Sequence, residues 1–151
     1  MAPILHSATG PELTAAQLYQ LLRLRTEVFI VEQECAYQEL DGRDLARDTR
    51  HWWLAAPAAP DEPLAYLRVL TEPAGGYRIG RVVTASAARG DGLAGRLFGA
   101  ALADLGDVDC VLDARTYVQH FYAGYGFTPV GAEFLEDGLE HIRMRRAAPV
   151  R

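Results

Sequence analysis

The feature that most constrains this 151-residue chain is a glycine-rich turn between a β-branched segment and an amphipathic helix. The β-branched segment ends at Thr84, and the turn contains Gly90, Gly92 and Gly95. Beyond it, apolar residues recur at helical spacing, at Leu93, Leu97, Ala101 and Leu105. Such a unit aims unpaired N–H groups and the positive end of a helix dipole at one point, which favours an anion site. The turn alone also allows a plain strand-to-helix connection that binds nothing.

The segments around this turn predict one α/β domain. Strands are expected over residues 4–8, 51–55, 64–70, 77–84, 109–114, 127–131 and 141–145. Helices are expected from 14 to 28, 92 to 105 and 117 to 125, with residues 29–35 either extending the first helix or forming a second short one. This order predicts a mixed, mostly antiparallel central sheet with helices on both faces, in which one β-α-β crossover holds the glycine turn. We expect the domain to span residues 1–146 and a frayed tail to follow over 147–151.

Composition excludes several classes of function. The formal net charge of −5 argues against a nucleic-acid groove, which needs a clustered basic face, and mildly favours cationic partners such as amines. No run of residues approaches the ~18 apolar residues of a membrane span, and no basic start precedes an apolar core as in a secretory leader. We therefore expect a cytoplasmic protein that binds neither membranes nor nucleic acids. Whether two copies form a homodimer is left open.

Cysteine and histidine spacing predicts neither a disulfide nor a metal site. Cys35 and Cys110 lie far apart without a CxxC pair, and Cys110 falls in the apolar run 108–112, which indicates a buried thiol. The four histidines show no HExxH-type pairing.

An acidic stretch over residues 27–48 has two interpretations. Its members are Glu27, Glu32, Glu34, Glu39, Asp41, Asp44 and Asp48. They form either a solvated face on a long connection or an electronegative wall that receives a cation.

The glycine turn also fits the dinucleotide fingerprint G-x-G-x-x-G at Gly90, Gly92 and Gly95, with Asp113 about 20 residues further on. Two features oppose this interpretation. Five residues separate Thr84 from Gly90, although the fingerprint begins directly at the strand end. Too little chain remains for the further βαβ units that a dinucleotide fold needs.

Three separated segments give a more specific match. Arg89-x-x-Gly92-x-Ala94 fits the pattern Q/R-x-x-G-x-G/A, and residues 121–127 read Phe-Tyr-Ala-Gly-Tyr-Gly-Phe. Both resemble signatures of the GCN5-related N-acetyltransferase (GNAT) superfamily. Residues 24–35, 41–45 and 136–142 resemble its ElaA-like branch. The resemblance implies a GNAT-like sheet around one βαβ cofactor crossover.

The resemblance implies acetyl-coenzyme A (acetyl-CoA) as co-substrate. The implied cofactor-binding residues are Val82, Val83, Thr84, Arg89, Gly90, Asp91, Gly92, Leu93, Ala94, Gly95 and Gln119. Main-chain amides from Arg89 to Gly95 would hold the pyrophosphate, while Val82 and Val83 would bind the pantetheine arm and the acetyl carbonyl. Arg115 and Gln119 flank this strand and helix. Asp91 departs from the family pattern, because this position is often basic; the alternative is that it turns away to cap the helix.

The implied reaction is attack of a primary amine on the thioester in a ternary complex. Main-chain donors at Val82 and Val83 would stabilise the oxyanion, and Tyr122 would act as general acid on the leaving sulfur. Alternatively, Tyr122 only packs with Phe121 and Phe127. Candidates for the base and for acceptor binding are Glu32, Glu34, Asp41, Asp44 and His141. The acceptor would be a small amine, a peptide N-terminus or a lysine. The competing hypothesis is a non-catalytic module of the same fold that binds acyl-CoA.

Overall fold

The computed structural model describes residues 2–149, which form one seven-stranded sheet with three helices. The strands are β1 Ile4–Thr9, β2 Arg50–Ala55, β3 Pro63–Thr71, β4 Tyr77–Thr84, β5 Cys110–Arg115, β6 Thr128–Glu136 and β7 Leu139–Arg146. The helices are α1 Ala15–Arg25, α2 Leu93–Leu105 and α3 Gln119–Ala123, and a π-helical segment Thr26–Glu32 continues α1. Short 3-10 turns occupy Gly10–Glu12, Ser86–Ala88 and Thr116–Val118.

The strand order is β1-β2-β3-β4-β5-β7-β6, and every neighbouring pair is antiparallel except β4–β5. The helix α2 joins the two parallel strands, as a crossover connection requires. The mixed, mostly antiparallel sheet with one β-α-β crossover is therefore confirmed.

Helices cover both faces of the sheet, so that the molecule has two cores. Trp52 and Trp53, adjacent on β2, are both buried and belong to opposite cores, as the alternation of a strand dictates. The larger core packs α2 against the sheet through Leu97, Phe98 and their neighbours. The smaller core packs α1 through Leu21, Leu24 and Val28 against Trp53, Tyr66 and Val83.

Local signals positioned the main helices well. Thr14 and Gln17 form the expected capping box, with the Gln17 amide donating to Thr14 Oγ1 at 3.1 Å. The helix α2 ends as expected at Gly106, which has φ +73°. Of the stretch 29–35, expected to be either an extension or a second helix, residues 29–32 belong to an unbroken π-helical continuation of α1, which ends at Glu32.

The C-terminal elements differ from expectation in length. The strand expected over 127–131 runs instead from Thr128 to Glu136, because Gly131 (φ +78°) takes up a bulge between Val130 and Phe134 rather than ending the strand. The helix expected over 117–125 is only the five-residue α3, preceded by a 3-10 turn.

Of the tail expected over 147–151, residues 150 and 151 lie outside the described part, as does residue 1. The Ala148 amide donates to Asp109 Oδ1 at 2.7 Å, so this part of the tail is tied to the sheet rather than frayed. Both cysteines are free and buried, which confirms the buried thiol expected at Cys110.

Candidate active site

A cleft of about 1220 Å³ opens between β4, β5 and the segments that follow them. It exists because β4 and β5 pair only at Tyr77 with Cys110 and Arg78 with Val111, after which the strands separate. Among the residues considered for catalysis, cofactor binding or acceptor binding, those that line the cleft are Asp41, Val82, Val83, Thr84, Ala94, Arg115, Tyr122 and His141. Those outside its wall are Glu32, Glu34, Asp44, Arg89, Gly90, Asp91, Gly92, Leu93, Gly95 and Gln119.

The turn before α2 presents a row of free amides beside this cleft. Within residues 2–149, the N–H groups of Gly90 to Gly95 donate to no acceptor, and the first bond of the helix runs from the Arg96 amide to the Gly92 carbonyl at 3.1 Å. Gly90 and Gly92 have φ of +93° and +72°, and no atom of the described chain lies within 4 Å of where their Cβ atoms would stand. The cradle is therefore open and rich in donors, as an anion requires.

Besides its free amide, Gly95 has a role in packing. A Cβ there would stand 2.8 Å from the Tyr125 hydroxyl, which itself donates to the Gly95 carbonyl at 3.0 Å. Its missing side chain therefore serves the packing of α2 against the segment after α3 rather than the approach of a ligand.

The charged side chains of the turn are arranged around the amides. Arg89 donates to the Thr84 carbonyl at 3.2 Å and pairs with Glu32 at 2.9 Å, so Glu32 is bound to the turn rather than free in the cleft. Asp91 is exposed and does not cap α2, whose N-cap is Gly92 without any side-chain bond. The expectation that Asp91 caps the helix is wrong.

A bulge in β4 determines which main-chain groups face the gap. It lies where the β3–β4 register shifts, beside Arg81, which has φ +54°. Beyond it, the Ala85 amide donates to the Leu64 carbonyl at 2.8 Å. Because an antiparallel strand faces its partner at every second residue, Val83 also faces β3, whereas Val82 and Thr84 turn their amides and carbonyls into the gap.

Tyr122 lines the cleft while its ring packs in an aromatic cluster. The ring centroid lies 5.3 Å from that of Phe98, 5.1 Å from Phe121 and 6.5 Å from Phe127. Burial, with a smaller contribution from Tyr117, raises the pKa of Tyr122 to about 12. The hydroxyl therefore remains protonated over the whole physiological range and keeps a proton to donate in a hydrogen bond.

The outer members of the acidic stretch are exposed, as on a solvated face, whereas its central members neutralise arginines and so form no open electronegative wall. Asp44 accepts from the fully buried Arg25 at 2.6 Å and from Arg68 at 3.1 Å. Asp41 pairs with Arg68, and Glu39 pairs with Arg25 at 3.3 Å and with Arg81 at 2.5 Å. These three acids and three arginines form one network, which we call the arginine–carboxylate network.

The network makes Asp41 and Asp44 poor proton acceptors. Burial would raise the pKa of each carboxyl, but hydrogen bonds and charge from Arg68 at Asp41, and from Arg25 and Arg68 at Asp44, outweigh it. Both pKa values lie below the ordinary value, which makes each carboxylate a weak base.

His141, in contrast, is oriented so that it can accept a proton. Its Nδ1 lies 2.8 Å from the Leu139 carbonyl, so that this nitrogen carries the proton and a neutral ring keeps a lone pair on Nε2. The ring stacks on Phe134 at 5.8 Å, and the side chain is 13% exposed. Gln119, by contrast, donates to the Thr116 carbonyl at 3.0 Å at the start of α3.

Sequence reasoning missed the arginines of the network. Arg25 stands on the apolar face of α1, and Arg68 stands inside the apolar strand β3. A lone charged residue within an apolar run was the available signal, since such a residue is buried only when it is paired.

No helix among residues 2–149 is long and apolar enough to cross a membrane. The same residues contain no cluster of three or more His, Cys, Asp or Glu side chains arranged to hold a metal ion.

Comparisons with known proteins agree with this geometry. The family model described as an acetyltransferase (GNAT) domain matches residues 12–148. The UPF0039 protein Rv2851c of Mycobacterium tuberculosis is 48% identical over 149 residues, which cover 97% of this chain and 94% of that protein.

Two similar solved structures extend the match to the fold. An acyl-CoA N-acyltransferase from Pseudomonas aeruginosa superposes with a TM-score of 0.89 at 44% identity, covering 97% of this chain and all of that one (100%). The crystal structure of Escherichia coli ElaA gives a TM-score of 0.87 at 37% identity, covering 95% of this chain and 99% of the other.

Proposed function

Because the chain belongs to the acetyltransferase (GNAT) family, in its ElaA-like branch, we propose that it transfers an acetyl group from acetyl-CoA to a primary amine by direct transfer in a ternary complex. The observation that carries this proposal is the row of free amides from Gly90 to Gly95, which stands beside the separated edge of β4. An elongated co-substrate that carries a diphosphate and, at the end of a long arm, a thioester fits both features.

The amides of the turn would hold the diphosphate. They bring fixed donors and the positive end of α2, which together favour an anion without reorganisation. The open space at Gly90 and Gly92 supports this assignment, because nothing in the described chain obstructs a close approach to the main chain. When bound, acetyl-CoA would supply an acyl group activated as a thioester.

Val82, rather than Val83, is our candidate for the main-chain donor to the acyl oxygen. Val83 faces β3 and its side chain is buried in the core beneath α1, whereas the Val82 amide faces the gap. A preorganised amide stabilises the charge that develops on an acyl oxygen during attack. Thr84, two residues further on, would bind the pantetheine arm.

We assign Tyr122 as a hydrogen-bond donor to the departing sulfur. With the pKa of Tyr122 raised to about 12, complete proton transfer to a thiolate of pKa ~8.5 would cost about 5 kcal/mol. A hydrogen bond that strengthens as the sulfur gains charge avoids this cost.

His141 is our candidate for the base that receives the proton of the amine. Its Nε2 keeps the lone pair, and the side chain lines the same cleft as Tyr122. The lowered pKa values of Asp41 and Asp44, and the pairing of Glu32 with Arg89, favour His141 over these carboxylates.

The test combines binding with turnover. Acetyl-CoA should raise the melting temperature of the protein, and NAD(H) should not. With acetyl-CoA and a mixed panel of amines, the protein should release free CoA thiol. In Tyr122→Phe, we expect kcat to fall about 10- to 100-fold, because a donor is lost from the leaving group while the aromatic packing remains.

Tyr117→Phe, at an exposed neighbour of the same cleft, is the matched control and should retain most of the turnover. A shift in melting temperature with no turnover on any amine would instead support a non-catalytic acyl-CoA binding module. No shift with acetyl-CoA would exclude both functions.

A further inference from the structure

The arginines that line the cleft differ in whether a carboxylate neutralises them. The five are Arg43, Arg68, Arg78, Arg81 and Arg115. Arg68 and Arg81 are neutralised in the arginine–carboxylate network, and Arg78 pairs with Glu72 at 2.6 Å and Asp113 at 2.8 Å. Arg43 is exposed to solvent. Arg115 is the remaining member, and it bonds no carboxylate of residues 2–149.

The neighbours of Arg115 hold its guanidinium in place but leave N–H donors without a hydrogen-bond partner. Its Nε is buried and has no hydrogen-bond partner in the described chain, and its Nη1 reaches only the Gln33 amide oxygen at 3.5 Å. The guanidinium carbon lies 5.1 Å from the centroid of the Tyr117 ring. A guanidinium has five N–H donors in a planar fork, and burying them unpaired is unfavourable. An incoming carboxylate would accept from two of them in a bidentate pair.

Arg115 lies on the face of the sheet opposite α2. Cys110, Leu112 and Ala114 are buried in the core beneath α2, so the alternation of β5 directs Arg115 to the opposite face. Its contact with Gln33, beyond the end of the π-helical segment, places the guanidinium on that same face.

Directly beside Arg115 lie groups that favour a positively charged ligand group. His141 is its register partner on β7, and side chains opposite each other in this way have Cβ atoms about 5 Å apart. Glu136 Oε2 lies 3.9 Å from His141 Nε2, and Asp137 lines the same wall. The site therefore offers a cationic group for a carboxylate next to a lone pair and two acids that favour an ammonium.

We infer that Arg115 binds the carboxylate of the acceptor, and that the acceptor is a free α-amino acid whose amine faces His141. This inference rests on the proposed acetyl transfer. An α-amino acid carries both charges on neighbouring atoms, which matches two adjacent positions of one ladder. In the transfer, the bound ammonium first loses one proton to solvent; the amine nitrogen then forms the new bond to the acyl carbon, the carbon–sulfur bond breaks, the sulfur leaves as the CoA thiolate, and the second proton passes from nitrogen to His141.

The experiment compares each common L-amino acid with its C-terminal carboxamide as acceptor. For the wild type we expect kcat/KM to favour the carboxylate by at least about tenfold, chiefly through KM, because charge-assisted hydrogen bonds are lost with the amide. In Arg115→Gln this preference should collapse towards parity, and in Arg115→Lys it should be intermediate, since lysine keeps the charge but loses the fork. The matched control is Arg145→Gln, at an exposed arginine that pairs with Asp109 at the far end of β5. This variant should keep the wild-type preference.

A binding arm separates this inference from the proposed function. Calorimetry of CoA-loaded protein with N-acetylated amino acids and with their carboxamides needs no turnover. Loss of the carboxylate preference in Arg115→Gln upholds the carboxylate site even if no amine is acetylated. Equal binding of both ligand classes by the wild type, no binding of either, or an unchanged preference in Arg115→Gln overturns it. Turnover of amines without a carboxylate would then leave the proposed acetyl transfer standing.

Discussion

In the turn before α2, one side chain opposes the charge that the main chain creates. The free amides of Gly90 to Gly95 favour an anion, yet Asp91 places a carboxylate among them. The same carboxylate interacts favourably with the helix dipole of the free protein. Asp91 therefore contributes to helix stability while weakening the attraction of the turn for a diphosphate.

This conflict predicts the effect of Asp91→Asn on cofactor affinity. Removing a like charge a few ångströms from the diphosphate should be worth about 1 kcal/mol, and so lower the Kd for CoA about fivefold. The free energy of unfolding should fall by no more than about 0.5 kcal/mol. Isothermal titration at low and high salt measures this, and the gain should shrink as salt screens the charges.

Asp104→Asn is the matched control, because Asp104 is exposed on the same helix near its other end. It changes the net charge equally but should leave the Kd almost unchanged. An equal gain in both variants would attribute the effect to net charge rather than to the turn.

At the scale of elements, the bulge of β4 joins the arginine–carboxylate network to the edge of the cleft. Arg81 holds φ +54° there, a conformation that ordinary side chains disfavour. Its guanidinium donates to Glu39 Oε2 at 2.5 Å and to the Glu39 carbonyl at 3.2 Å. The side-chain contacts thus oppose the backbone strain and hold the register that turns Val82 into the gap.

A pair of substitutions separates these two contributions. Arg81→Ala and Arg81→Gly lose the same ion pairs, so both should be destabilised, but glycine adopts positive φ freely. We expect Arg81→Gly to be more stable than Arg81→Ala by about 1 kcal/mol, as measured by urea unfolding.

The same pair at Arg78 is the control, because Arg78 lies on β4 without positive φ and also forms two ion pairs. There glycine should be the less stable substitution by about 0.5–1 kcal/mol. The same order of stability at both sites would show that the bulge stores no strain.

At this scale, the sequence predicts those features that are determined by residues close together in the chain. The turn before α2, the glycine stop at Gly106 and most strand cores follow from local pattern. The side of β4 that faces the gap does not, because one extra residue at Arg81 reverses the alternation from Val82 onward. The predicted strand end at Gly131 was wrong for a related reason, since a glycine can bend a strand as well as end it.

Across the whole molecule, the arginine–carboxylate network binds together segments that are distant in sequence. Arg25 from α1 reaches Asp44, and Arg68 from β3 reaches the same carboxylate, over separations of 19 and 24 residues. No local pattern contains such a pairing, which is why the acidic stretch could be recognised from the sequence but its burial could not. The connection between α1 and β2 is thereby anchored on the sheet above the cleft.

His51 joins this network to the sheet and gives it a pH dependence. Its Nε2 lies 2.8 Å from the Asp44 carbonyl and its Nδ1 lies 2.6 Å from the Tyr66 hydroxyl, so the neutral ring is satisfied at both nitrogens. Burial lowers the pKa of His51, and nearby Arg25 and Arg68 act in the same direction against the carbonyl and charge of Asp44. The folded protein therefore holds His51 neutral at pH values where the unfolded chain protonates it.

The consequence for stability has a definite sign. Since the folded pKa of His51 is lowered, its contribution is complete above the unfolded value of ~6.5 and is lost as the pH falls towards the folded value. The free energy of unfolding should decrease below about pH 6.5, by up to about 1.4 kcal/mol per pH unit. A second decrease should follow below about pH 4, where the lowered pKa values of Asp41 and Asp44 act in the same sense. Urea unfolding across this range, compared with His51→Gln, isolates the first step: the variant should be less stable at neutral pH but should lack the His51 slope that begins below about pH 6.5. An identical slope in both proteins would assign the first step to other groups.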